Sequence, residues 1–116
     1  MFYDRQGRFI QTQDEHGNIL MEPMRQLSAF FSDESYKRVA RTEVSNCVVS
    51  TVWLGIDHNF GDGPPLIFET MIFGEGNNAP YEDWCWRYST LEEAEVAHEA
   101  IVAALREGRE PAWSGQ

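Results

Sequence analysis

Cys47-Val48-Val49-Ser50-Thr51-Val52-Trp53-Leu54 and Leu66-Ile67-Phe68-Glu69-Thr70-Met71-Ile72-Phe73 are two β-branched and aromatic runs joined by Gly55-Ile56-Asp57-His58-Asn59-Phe60-Gly61-Asp62-Gly63-Pro64-Pro65. Residues of this kind fit a pleated, half-buried surface, and the glycines and prolines between them punctuate a turn. The two runs therefore read as adjacent antiparallel strands. Alternation puts Val48, Ser50, Val52 and Leu54 on one side of the first strand and Cys47, Val49, Thr51 and Trp53 on the other. Both sides are largely apolar, which predicts a sheet covered by helices on one face and by the N-terminal segment or a second subunit on the other. Glu69 breaks that pattern and needs an arginine or solvent.

Working outward, Tyr36–Val44 has β character and leads into Ser45-Asn46, a two-residue turn in which Asn accepts positive φ. Trp84-Cys85-Trp86-Arg87-Tyr88 supplies a last strand, with Trp84, Trp86 and Tyr88 in one row facing the core. After it, Thr90 and Glu93 have the spacing of a capping box, with Glu92, Glu93 and Glu95 in the first turns of a helix. That helix runs to Glu107 with Ala94, Ala97, Ile101, Ala104 and Leu105 on its apolar side and His98 and Glu99 on its flank, before Gly108 and Pro111 stop it. Upstream, Pro23 opens a shorter helix through Phe31, with Met24, Leu27 and Phe31 at helical spacing. The glycine turns around Gly7 and Gly17 predict a β ribbon over residues 1–21, with His16 a solvated turn residue. The expected fold is a single α+β domain over 1–116: an antiparallel meander of four strands, Tyr36–Val44, Cys47–Leu54, Leu66–Phe73 and Trp84–Tyr88, carrying helices Pro23–Phe31 and Thr90–Glu107. Gly74–Pro80 reads as a surface loop and 109–116 as a loose tail that Trp113 could anchor.

The net charge of −10 is unevenly spread. Residues 1–46 hold six Lys/Arg against seven Asp/Glu, whereas residues 47–116 hold three against twelve. Direct nucleic-acid binding depends on cations neutralising phosphates, so this balance argues against it. A concentrated negative face suits a basic protein partner, including a nucleic-acid-binding one, and equally serves to keep a small protein in solution. No apolar run approaches the ~20 residues of a membrane span. Met1-Phe2-Tyr3-Asp4-Arg5 lacks the charged-then-apolar pattern of a leader, so a soluble cytoplasmic protein is expected. Cys47 and Cys85, both inside predicted strands, read as buried reduced thiols.

The Gly55–Pro65 loop is the best functional candidate. Asp57, His58, Asn59, Phe60 and Asp62 are its binding residues; Gly55, Gly61 and Gly63 shape it and Pro64-Pro65 stiffens its exit. A rigid loop presenting one aromatic loses little entropy on binding a protein. His58 and Asp57, with Asp62 and a neighbouring Glu69 or a distant His98, also suggest a metal-dependent enzyme, but no tight ligand spacing such as His-Glu-x-x-His is present. The run from Asp57 is similar to the start of an EF-hand loop, yet Asp62 replaces the required glycine and Phe68 the terminal glutamate. Neither a metal nor another cofactor is expected. Lys37, Arg38 and Arg41 form the close cluster of positive charge, with Arg38 and Arg41 as candidate anion contacts.

The runs Ser50–Phe60 and Gly63–Met71, together with Tyr36–Thr42 and Trp86–Glu99, resemble a family of small uncharacterised proteins of bacteriophages that infect actinobacteria. The resemblance covers about two thirds of the chain and is weakest before Glu34. It implies a cytoplasmic phage accessory protein and carries no activity onto these residues. The combined expectation is a non-enzymatic protein that binds and modulates a host protein through the Asp57–Pro65 loop and the acidic helix face of Glu92, Glu95 and Glu99, with homodimerisation expected. Sequestration of a small molecule or nucleotide in a pocket at the 55–65 loop is the alternative, and the metal-dependent enzyme comes third.

Overall fold

The computed structural model describes residues 1–59, 61–74 and 81–113. Among these residues the elements are, in order, β1 (Phe2–Tyr3), β2 (Phe9–Ile10), α1 (Met21–Ser32), α2 (Glu34–Lys37), β3 (Arg38–Val44), β4 (Cys47–Trp53), β5 (Phe68–Gly74), β6 (Cys85–Tyr88) and α3 (Leu91–Arg106). β1 and β2 form a two-stranded ribbon, and β3-β4-β5-β6 form a four-stranded antiparallel sheet in chain order. The protein is thus an α+β domain built on a meander, as its alternating apolar runs predict. The expected first strand is shorter than Tyr36–Val44 because Asp33 caps α2, its side chain accepting from the backbone N–H of Ser35 and Tyr36.

Local chemistry accounts for the joints. Ser45 and Asn46 take φ values of 50° and 63° between β3 and β4, the conformation a tight right-twisted hairpin requires. α3 begins where Thr90 Oγ1 accepts from the Glu93 backbone N–H at 3.1 Å, the N-cap half of a capping box, while the Thr90 hydroxyl donates to Glu93 Oε1 at 3.3 Å. In the ribbon, the buried Asp4 carboxylate accepts from the backbone of Gln6 and Arg8 and pairs with the Arg8 side chain at 2.8 Å. The ribbon is stitched to the end of the main sheet: Tyr3 N–H donates to the Gly55 carbonyl at 2.8 Å and Asp57 N–H to the Met1 carbonyl at 3.1 Å.

Among the described residues α3 packs across one face of the sheet, and α1 and α2 bring Phe30, Phe31 and Tyr36 onto Trp53 at its end. Cys47, Val49, Thr51 and Trp53 point inward from β4, and Phe68, Thr70 and Ile72 from β5. Two apolar clusters result, one around Trp53, Phe68, Tyr88, Ala94 and Ala97, the other around Val49, Ile72, Ile101, Val102 and Leu105. Trp53 is the aromatic node: Phe31 and Tyr36 lie with ring centroids 4.9 and 5.0 Å away, and its Nε1 donates to the Tyr3 carbonyl at 3.0 Å.

Several expectations are corrected. The other sheet face is not covered by the ribbon: Val48, Val52 and Met71 stay half-buried and Phe73 is 48% exposed. Ser50 and the ion pair between Arg87 Nε and Glu69 Oε2 (3.0 Å) interrupt its apolar area, so solvent is tolerated there, and Glu69 finds the arginine it needs. Cys85 is exposed because β6 pairs it outward, opposite Met71, whereas Cys47 is buried, and no disulfide joins the two. Trp84 lies outside β6 and is 40% exposed, packed edge-on against Tyr81 and Trp86. As far as Trp113 the segment after α3 shows the anchoring that Trp113 was expected to offer: Pro111 is fully buried and Trp113 packs edge-on against Tyr88 at 6.4 Å. The loop expected over Gly74–Pro80 falls, from Glu75 onward, outside the described residues.

Candidate functional site

The connection between β4 and β5 is narrower than its length suggests. Leu54 N–H donates to the Ile67 carbonyl at 2.7 Å and His58 N–H to the Leu66 carbonyl at 3.0 Å, extending the antiparallel pairing past the strand ends. Beyond these bonds the described tip consists of Asn59 and residues 61–65. Asp57 closes it: one carboxylate oxygen, Oδ1, accepts from the backbone N–H of Asn59 at 2.7 Å and of Leu66 at 2.9 Å. These backbone bonds hold the Asp57 carboxyl below its ordinary value of 3.8. Asn59 braces the tip from inside, donating to the carbonyls of Asp62 (3.3 Å) and Pro64 (3.0 Å) and accepting from Gly61 N–H at 3.0 Å. Asp57 and Asn59 therefore shape the loop before they touch any partner, and Phe60, expected to be presented there, lies outside the described residues.

The braced tip sits beside the start of α3. Asn59, Asp62, Pro64 and Leu66 from the loop and Ser89 and Glu93 from the helix side line a cleft of about 540 Å³. Across the helix, Glu92, Glu95 and Val96 line a second cleft with Arg5 and Gln6 of the ribbon turn. The exposed Glu92, Glu95 and Glu99 recur at helical spacing, so the first half of α3 is an acidic ridge flanked by two clefts. Val96 adds an exposed aliphatic side chain, 52% accessible, between them.

His98 is not beside the loop. It is 1% exposed and points between α3 and the sheet, where Nδ1 lies 2.7 Å from Thr51 Oγ1 and Nε2 2.9 Å from Thr42 Oγ1. Thr51 Oγ1 in turn shares a 2.6 Å hydrogen bond with Thr70 Oγ1. Burial pushes the imidazole below its ordinary value of 6.5, opposed by the charge of Glu99. Its placement as a flank residue is thus corrected: four residues after Ala94 and three before Ile101, it belongs to the inward stripe. The signal was available in Thr51 and Thr70, polar residues at inward positions of adjacent strands. Nearby, burial drives the Tyr88 hydroxyl up to about 12, with Thr70 opposing; Oη itself has no hydrogen bond of good geometry.

Asp57, His58 and Asp62 do not converge with His98, and among the described residues no group of three or more His, Cys, Asp or Glu is placed to hold a metal ion. Arg38 and Arg41 line a separate cleft with Lys37, Glu34, Ser50, Val52 and Trp53, where α2 meets β3 and β4. The loop and the arginines, which the nucleotide-pocket expectation joined in one site, thus lie in different clefts. Among the described residues no helix is long and apolar enough to cross a membrane. No family model, no curated protein and no solved structure matches the chain.

Proposed function

We propose that this chain is a non-enzymatic bacteriophage accessory protein that binds a basic surface of a host protein in the cytoplasm of the infected cell. The observation that supports this most is the loop tip braced by Asp57 and Asn59 beside the start of α3, where Asp62 and Glu93 line one cleft and Glu92 and Glu95 line the next. A loop already fixed by Asp57 and Asn59 loses little freedom on docking, and the ridge steers a cationic partner toward it. Glu92, Glu95 and Glu99 supply charge, Asp62 and Leu66 the cleft, and Val96 an apolar contact. The phage context rests on the resemblance of the Ser50–Met71 and Trp86–Glu99 runs. Homodimerisation, a separate expectation, would use the Val48–Phe73 end of the outer sheet face, and light scattering of the purified chain tests it.

The host-protein reading is tested by affinity capture from an actinobacterial lysate with wild type and with a Glu92→Lys/Glu95→Lys/Glu99→Lys variant. One host protein retained by wild type, lost with added salt and lost from the variant is the expected result. Equal retention by both would remove the acidic ridge from the interface, and retention of nothing specific would remove the reading for that host.

A further inference from the structure

Side chains three positions apart on a regular strand point to opposite faces. In β3 the register shifts between Arg38 and Ala40, so that Arg38 pairs with Val52 and Arg41 with Ser50, two outward positions of β4. The bulge therefore puts both arginines on the same face of the sheet, away from α3. Lys37, the last residue of α2, lines the same cleft of about 370 Å³, as does Ser50. Three cations from consecutive elements thus meet at one place in a chain of net charge −10.

Their existing partners are weak. Lys37 Nζ meets Glu34 Oε1 at 2.8 Å and Arg41 Nη1 meets Glu43 Oε1 at 3.3 Å, but those carboxylates are 78% and 73% exposed. Exposed pairs of this kind contribute little and yield readily to a better anion. Among the described residues no carboxylate pairs with Arg38. Arginines and a bulge on an edge strand also discourage edge-to-edge association. That role needs neither a shared face nor Lys37.

We propose that this cleft binds a small phosphorylated anion, a pyrophosphate group either free or carried by a nucleotide. Arg38 and Arg41 offer planar forks of donors to phosphate oxygens, Lys37 a mobile point charge, and the Ser50 hydroxyl a neutral donor. The cleft is at the small end of ligand pockets, which suits one or two phosphoryl groups. A polynucleotide would have to run onto the acidic surfaces of the second half of the chain, where twelve Asp/Glu face three Lys/Arg. The site is independent of the loop and α3 ridge, so it stands or falls apart from the host-protein reading.

The test titrates the full chain, by calorimetry and by amide chemical shifts, with pyrophosphate, with adenosine diphosphate and with a short single-stranded oligonucleotide. Saturable, salt-sensitive binding is expected for pyrophosphate and the nucleotide, with shifts confined to residues 37–41 and 50–53. Arg38→Gln and Arg41→Gln should each weaken it about tenfold or more, and Arg25→Gln on the exposed side of α1 should not. Equal affinity for the two ligands assigns the site to the free anion, and tighter nucleotide binding to the nucleotide. Absence of saturation at millimolar ligand, unchanged affinity in Arg38→Gln, or an oligonucleotide that outcompetes both would overturn the proposal.

Discussion

His98 Nδ1 and Thr51 Oγ1 lie 2.7 Å apart in the middle of the helix–sheet interface, and through that contact α3 is registered on β4. With Thr42 on the other ring nitrogen and Thr70 behind Thr51, the polar seam separates the two apolar halves of the core. Such a seam costs desolvation and returns orientation: sliding α3 would leave buried hydroxyl and imidazole groups unpaired. Replacing Thr51 by Val strands Nδ1 and should cost about 1–3 kcal/mol in urea unfolding. Adding His98→Leu to that variant should cost less than the two single changes summed, because the stranded group is then gone.

The same residue sets a pH response. The folded imidazole has a lowered pKa, whereas in the unfolded chain it titrates near 6.5. Between those values the unfolded state binds more protons, so stability is fully present above about pH 6.5 and falls as pH drops through the window below it. Urea midpoints measured from pH 7.5 downward should decline there in wild type and flatten in His98→Asn. Asp14, Asp33 and Asp57, all lowered from 3.8, contribute in a separate and more acidic window, where stability is lost as pH falls through their folded values.

Gly55 is irreplaceable for a steric reason. At φ +77°, an added Cβ would meet Trp53 Cζ2 at 2.7 Å and Phe31 Cζ at 2.8 Å, inside the aromatic node. Gly55→Ala should therefore cost about 2–4 kcal/mol. Gly7→Ala is the matched control: φ is +82° but nothing lies within 4 Å, and about 1 kcal/mol is expected. Thermal unfolding of the two variants separates the clash from the backbone preference; equal losses would mean that the node yields.

Asp57 is assigned to holding the loop, so its loss should act on dynamics first. In Asp57→Ala the amides of Asn59 and Leu66, which donate to its carboxylate, should exchange with solvent much faster while those of β4 keep their protection. Unchanged exchange at both amides would contradict the bracing role.

Much of this was legible from residue type and spacing. The capping box at Thr90 and Glu93, the Ser45-Asn46 turn and the demand of Glu69 for an arginine are local chemistry, and local chemistry survives folding. Pairing across elements was harder to read. Imidazole is not an apolar residue type, so residue type alone puts His98 on the flank, although its spacing matches the inward stripe. The bulge in β3 has no glycine or proline to mark it, so the shared face of Arg38 and Arg41 emerges only from the register with β4. The uncovered sheet face depends on where the N-terminal ribbon docks, and the ribbon attaches at Gly55 and Asp57 at the end of the sheet.

The central functional claim is that the Asn59–Pro65 tip and the α3 ridge together form the partner surface. Site-specific photo-crosslinking in host cells tests it most directly, with a photoreactive phenylalanine analogue at Asn59, at Glu95, or at the exposed Ser28 of α1. One and the same host protein should be captured from Asn59 and Glu95 and not from Ser28. Capture from Ser28 alone, or different proteins from Asn59 and Glu95, would contradict it.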